Sequence, residues 1–339
     1  MVTTLTLVLV AVLVFLLEKF AAILQQLLTA AFLAYMLLPV HRWLVRHRVP
    51  SAAAYLLITL LLFGLIAAVV LAVQGSIADL MTKLPTYRAN CTAMAERVTA
   101  RLPAVGEKLI DPLLHRHGLT VDQTFTALRG ALETLAGFLG EAFVVLVYLV
   151  FLLAEQAGGP RRIEAALGPE RGPFVLGVVR QINDSIAEYL WVKTVMSVLI
   201  GVLTTAVLYA FGVDYAILWG VVAFLLNYIP YLGSLVAMVL PTLLALVQSQ
   251  SLPHALLLLA VLAVVHNGIG YGLEPLMAGN RLDLSPLVII LALAFWGALW
   301  GIVGMILAVP LVVTVKIILE NIPATRPLAS LMAGAGGKK

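Results

Sequence analysis

Between Asp214 and Glu274 the chain runs for 59 residues with no Asp, Glu, Lys or Arg, and between Asp283 and Lys316 for 32 more. An α-helix rises about 1.5 Å per residue, so the two runs would measure roughly 88 and 48 Å if straight. The hydrocarbon core of a bilayer is about 30 Å thick. The first run must therefore cross or fold back within the membrane more than once, and the second is too long for one straight span. Both carry Gly or Pro near their middles, in Asn227-Tyr-Ile-Pro-Tyr-Leu-Gly233 and in Trp296-Gly-Ala-Leu-Trp-Gly-Ile-Val-Gly304. Apolar segments interrupted in this way are the best pointer a sequence gives to a solute path through a transporter.

Composition closes off the other fold classes. The chain is 62% hydrophobic and 11% charged, against about 25% charged for a soluble domain. The fold class is all-α polytopic membrane protein: the apolar runs are continuous, whereas a β-barrel would show short alternating strands between turns. A net charge of +4, with the basic residues in loops, does not fit a nucleic-acid partner. The single Cys91 excludes an internal disulfide, and no Cys/His cluster points to a metal; no cofactor is implied. The stretch Met1–Leu17 lacks the basic start of a signal peptide, and a second apolar run, Phe20–Val40, follows at once.

Seven to nine full or half spans fit the hydropathy pattern. Residues 1–74 read as a tight N-terminal helical hairpin, turning at Glu18-Lys19, plus a third span. Residues 75–134 are polar and charged and read as an extramembrane helical domain. Residues 135–339 read as the membrane transport core, with a polar linker at 155–190 and two broken pairs, Ala216–Val247 and Leu287–Leu319. Lys and Arg in short loops mark the cytoplasmic side. Arg42, Arg46 and Arg48, then Arg161, Arg162, Arg171, Arg180 and Lys193, then Lys316, Arg326, Lys338 and Lys339 fall on one side if both broken pairs are hairpins. That places 75–134 outside and the linker and C-terminus in the cytoplasm, in the inner (plasma) membrane of a bacterium.

In the outer domain Ile77, Leu80, Leu84, Tyr87, Cys91, Met94 and Val98 repeat in steps of three and four, the spacing of a coiled-coil seam interrupted by Pro85. Such a stripe serves either packing within its own domain or contact between identical subunits. Thr120-Val-Asp-Gln123 resembles a capping box opening the helix into the next span.

Enzyme signatures are absent: there is no H-E-x-x-H, G-x-S-x-G, P-loop or G-x-G-x-x-G opening a helix. With no ATP-binding domain in the sequence, transport by this chain would be secondary. Polar residues at membrane depth carry the interest. At the first break Pro230 removes a backbone donor and Gly233 permits a left-handed turn. Freed backbone groups are tolerated at that depth only where protein buries them or they face a wet cavity. The candidate path is lined by Asn227, Tyr228, Pro230, Tyr231 and Gly233; the competing reading is an interfacial turn with the tyrosines as aromatic belt. His266 and Asn267 end a span that leads into Glu274-Pro275, and ionisable residues inside a membrane are costly and usually functional. Glu274 would equally be an ordinary solvated carboxylate near the cytoplasmic end. Gly301 and Gly304 belong to the second break, where close helix packing through glycine accounts for the pattern without a ligand. Both breaks are expected to face one partly hydrated cavity with Glu274 at its cytoplasmic mouth.

Taken in order, these motifs resemble the autoinducer-2 exporter family of bacterial permeases across nearly the whole chain. Ala34-Tyr-Met-Leu-Leu-Pro39 is similar to the family's early A-Y-x-x-x-P element, and Leu84-Pro85 to its extramembrane L-P. The 227–233 segment resembles N-F-I-P-Y-I-G, and residues 274–286 resemble E-P-x-x-M-G-x-x-L-G-L-S-P. Residues 295–311 resemble the glycine-rich ending, and Arg326-Pro-Leu-Ala329 the closing R-P-L-A of the autoinducer-2 transport subgroup. The chain departs where Leu276 replaces a frequent Arg, Ala278 a Met and Asp283 a Gly. The missing cation beside Glu274 counts against a charge-pair mechanism.

The resemblance implies a homo-oligomer, a pentamer in particular, whose subunits each carry a path, and export of a small polar, autoinducer-2-like solute in quorum sensing. It also implies a second reading, monovalent cation/proton antiport, for which Glu274 is the one carboxylate near a break. A third reading, from a different class, is a non-transporting oligomeric scaffold.

Overall fold

Every described element is helical, as a chain must be when no water is present to satisfy its backbone. The computed structural model describes residues 2–101, 121–155, 158–278 and 283–334. The helices are α1 (Val2–Lys19), α2 (Ala21–Arg46), α3 (Ser51–Arg101), α4 (Val121–Glu155), α5 (Gly159–Ala210), α6 (Ala216–Leu226), α7 (Leu232–Ser249), α8 (Leu252–Asn267), a π-helical turn (Gly268–Leu273), α9 (Glu274–Ala278), α10 (Pro286–Asn321), a 3₁₀ turn (Pro323–Thr325) and α11 (Arg326–Met332). Among the described residues, six stretches are long and apolar enough to cross a bilayer: Ala21–Arg46, Ala53–Met94, Gly159–Ala210, Leu232–Ser249, Leu252–Met277 and Pro286–Asn321. The chain is a polytopic, all-α membrane protein. Thr120 of the expected capping box and residues 279–282 of the motif block lie outside the described residues.

Two joints differ from the sequence reading. At Phe20 the helical bonds continue on either side, Phe20 N–H to Leu16 O at 2.9 Å and Leu24 N–H to Phe20 O at 2.9 Å. The backbone there (φ −95°, ψ 14°) bends without the run of non-helical residues that a tight reversal would need. The polar linker also extends directly into a span as α5, which is helical apart from a corner at Gly168 (φ 74°, ψ 178°). Pro169 disfavours the helical conformation for the residue before it, and glycine takes the alternative without steric cost.

The chain divides into two compact units. The unit formed by 64–142 and 196–273 has a core of Leu208, Val213, Ala216, Trp219, Ala245, Leu258 and Leu262. Against α6 lies a second cluster, Val73, Ile77, Leu80 and Tyr87 of α3 around Leu218. Three positions of the 3.5-residue stripe, Ile77, Leu80 and Tyr87, are therefore consumed inside their own unit. At 51 residues α3 is about 76 Å long, more than twice a hydrocarbon core. Its C-terminal half is pinned by polar contacts: Tyr87 OH donates to Asp214 Oδ2 at 2.7 Å, Tyr215 OH to Asp79 Oδ2 at 2.8 Å, and Arg97 to Gln250 Oε1 at 2.8 Å.

The unit formed by 1–63, 143–195 and 274–339 packs Val309, Val313 and Ile317 of α10 against Val178, Ile182, Tyr189, Leu284 and Ile289. Lys316 lies buried beside them and donates to Asp283 O at 2.7 Å and Asp283 Oδ2 at 3.2 Å, with Glu320 Oε1 at 3.4 Å. Asp283 also accepts from Gly334 N–H at 3.2 Å, and Ser285 N–H donates to Met332 O at 2.9 Å, tying the C-terminal segment to the start of α10.

Candidate functional site

The first long run folds back on itself. Helix α6 has 11 residues, about 16 Å, too short to cross a bilayer. It ends at Asn227, and α7 begins at Leu232. The reversal is tight: a Cβ on Gly233 would lie 1.7 Å from the Leu226 carbonyl oxygen, so only glycine fits. The positive φ expected at Gly233 falls instead on Tyr231 (φ 63°, ψ −57°), an uncommon conformation for a bulky residue. Strain of this kind persists where surrounding packing holds it, and it clusters at functional sites. Asn227, Tyr228 and Ile229 are buried, whereas Tyr231 is half exposed.

The second long run also reverses. Gly301 (φ 62°, ψ −142°) breaks α10, and a Cβ on Gly304 would lie 2.0 Å from the Trp296 carbonyl oxygen. Residues eight apart come that close only when the chain doubles back, since a straight helix would separate them by about 12 Å. Here the protein satisfies the corner itself. Gln25 Nε2 donates to Trp300 O at 3.3 Å, and Trp300 Nε1 donates to Leu17 O at 3.0 Å.

The polar candidates bond residues of helix α5, Asn227 and His266 within the unit of 64–142 and 196–273, and Glu274 within the other unit. Asn227 Nδ2 donates to Ser197 Oγ at 2.9 Å. His266, 2% exposed, meets Thr204 Oγ1 through Nε2 at 3.2 Å, and its Nδ1 is buried without a partner among the described residues. Lys193 Nζ donates to Glu274 Oε1 at 2.7 Å. Ser197 and Thr204, seven residues apart and so on one face of the helix, belong to the unit of 64–142 and 196–273, and Lys193 belongs to the other; all three are buried. Each hydrogen-bonds a residue at a discontinuity: the end of α6, the residue before the last of α8 ahead of the π turn, and the start of α9. A π turn withdraws backbone groups from the regular ladder and recurs at functional sites.

The cation that seemed to be missing beside Glu274 is therefore supplied from 81 residues away in sequence. Lys193 had counted only as one of the loop cations that mark the cytoplasmic side. Its side chain is 7% exposed and that of Glu274 is 23% exposed. A buried lysine at this depth requires an anionic partner. Asn267, Pro275 and Gly301 are exposed, Gly304 is buried, and Pro230 is partly buried.

The family model for AI-2E family transporters matches residues 4–324 of this chain. The chain belongs to the AI-2E transporter family. It is 34% identical over 320 residues to the AI-2 transport protein TqsA of Escherichia coli (strain K12), covering 93% of this chain and 91% of that protein. It is 32% identical over 321 residues to YhhT of the same organism, provisionally named a transport protein, covering 94% and 90%. A Borreliella burgdorferi protein with a similarly provisional name is 28% identical over 317 residues, covering 93% and 85%.

In this AI-2E family chain, the sequence-expected residues fall into two groups. Asn227 and His266 bond Ser197 and Thr204 within one unit and Glu274 bonds Lys193 within the other, whereas Gly301 and Gly304 shape a hairpin whose polar groups are used internally. Lys193, Ser197 and Thr204 went unread as site residues. The seven-residue spacing of Ser197 and Thr204 in the apolar second half of α5 was the available signal.

Proposed function

We propose that this chain is a secondary transporter that exports a small polar solute resembling autoinducer-2, and thereby serves quorum sensing. Transport follows from the family; the polar solute is supported by buried polar contacts at helix breaks within each unit. Ser197 and Thr204 hold Asn227 and His266 in one unit, and Lys193 holds Glu274 in the other, each at a helix discontinuity. The proposed path residues are Asn227, Tyr228, Pro230, Tyr231, Gly233, His266, Asn267, Glu274 and Pro275. The name of TqsA supports an autoinducer-2-like solute. No enzymatic role is proposed.

Antiport of a monovalent cation is less favoured, because Glu274, its expected carboxylate, is already neutralised by Lys193. The proposed setting is a bacterial inner membrane, with residues 75–134 outside, 155–190 and the C-terminus in the cytoplasm, and several identical subunits, five in particular, in a closed ring. With three stripe residues occupied internally, support for that ring rests on the family resemblance. Native mass measurement giving only monomers would remove it.

The deciding experiment is solute flux in proteoliposomes, with a panel of neutral and charged solutes under imposed proton and sodium gradients. Outward flux of an autoinducer-2-like solute that responds to a gradient is expected. Sodium/proton exchange with no organic solute moved would replace this reading with antiport.

A further inference from the structure

Lys193 is nine-tenths buried, yet its ammonium has a single hydrogen-bond partner among the described residues, Glu274 at 2.7 Å. An ammonium group carries three donors, so two have no acceptor among the described residues. Burying a charge with unmet donors is costly unless the site serves something besides the fold. The same unit shows the alternative: Lys316, equally buried, has three oxygens around it, two of Asp283 and one of Glu320. Glu274 is the more exposed member of the Lys193 pair, at 23%, so the pair opens outward through its carboxylate. It also begins α9, directly after a π-helical turn.

The pair is net neutral and sets free donors beside free acceptor positions. A hydroxyl group donates and accepts, so it fits both partners at once. A solute bearing a carboxylate meets repulsion from Glu274, and one bearing an ammonium meets repulsion from Lys193. We propose that Lys193 and Glu274 together form a charge filter on the solute path, admitting neutral hydroxyl-bearing solutes and rejecting anions and cations. Lys193 is then a specificity-determining residue. The inference rests on the transport reading above and adds the element that selects charge.

The filter is tested on the full chain in proteoliposomes with three solutes of one scaffold: glucose, gluconate and glucosamine. The wild type should carry glucose at least tenfold faster than either charged analogue. Lys193→Met leaves a lone carboxylate and should shift preference toward glucosamine; Glu274→Gln leaves a lone ammonium and should shift it toward gluconate. The double exchange Lys193→Glu with Glu274→Lys should restore the preference for glucose, and size-exclusion profiles confirm assembly of each variant. A pair serving only the fold would lower all three fluxes together, and that result overturns the filter while leaving transport standing. A wild type that moves none of the three overturns the polar-solute reading, and the filter with it.

Discussion

Lys193 and Lys316 lie in the same compact unit, are equally buried and both face carboxylates, yet they are bonded very differently. Lys316 has three oxygens around it, from Asp283 and Glu320. It closes one wall of a polar cavity of about 210 Å³ shared with Gln181 and Ser185. Asp283 in turn holds the Gly334 backbone. Among the described residues Lys193 has one partner and two donors to spare. A saturated buried charge fixes the fold, because removing it strands everything it organises. An unsaturated one holds interaction capacity in reserve, which a fold alone does not require. The two hairpins repeat the contrast: the corner at Gly301 is closed by Gln25 and Trp300, while the corner after Asn227 carries a strained Tyr231 and sits against Ser197.

The largest effect should come from Lys316→Met. Breaking a buried pair typically costs about 3–5 kcal/mol, and since Asp283 and Glu320 are one-third or more exposed and can take up water, about 3 kcal/mol is expected. Denaturation in nanodiscs followed by tryptophan fluorescence measures it. Lys193→Met should cost less than half as much while altering solute selectivity. Equal destabilisation by the two substitutions would break the comparison.

Asp283→Asn comes next, at about 2 kcal/mol, the usual worth of hydrogen bonds to charged groups. It should also free residues 326–334, because the Asp283 carboxylate bridges Lys316 and the Gly334 N–H. Hydrogen exchange should speed up across that segment; unchanged protection there would mean that the Ser285–Met332 contact alone holds the tail.

At the hairpins, Asn227→Ala should cost about 1 kcal/mol by stranding Ser197, but should slow solute flux by tenfold or more. Pro230→Ala should slow flux with little effect on assembly, by letting the backbone close. Gln25→Ala leaves the Trp300 carbonyl open and should cost a similar amount of stability with flux largely preserved. If Asn227→Ala and Pro230→Ala both transport normally, the first break is a fold element like the second.

Where the sequence succeeded and failed follows from what each signal measures. Charge-free length and the Gly/Pro breaks report chain geometry, so both hairpins were legible, at Asn227–Gly233 and at Trp296–Gly304. The individual glycine roles were less so: Gly233 is needed for a close approach to Leu226, while Tyr231 bears the unusual backbone, and a glycine's presence does not distinguish the two causes. Lys193 and Lys316 were counted as loop cations because charge alone carries no depth. Their partners, Glu274 and Asp283, lie 81 and 33 residues away, beyond any local pattern. The stripe of α3 allowed two readings, and the contact with Leu218 gives Ile77, Leu80 and Tyr87 to the interior.

The smallest effect lies at the exposed end of the same scale, where Asp79 accepts from Tyr215 and pairs with Lys83 at 3.1 Å. Asp79 stands 28 residues beyond Ser51, about 42 Å along α3, in the segment 75–134 that is proposed to lie outside the membrane. The Tyr215 hydroxyl first, and the Lys83 ammonium second, hold its carboxyl below the ordinary value of 3.8. A depressed folded-state value means that the contact stabilises fully above that ordinary value and is lost as pH falls through the lowered one. Water competes for both partners, so the loss is local. Hydrogen exchange at the outer end of α3 should therefore hold steady from neutral pH to about 4, then accelerate, once corrected for intrinsic rates. Asp79→Asn should flatten that acid dependence while leaving solute flux unchanged. An acid response that survives the substitution would assign the anchoring of α3 to Tyr87 and Asp214, the more buried contact about two turns further along.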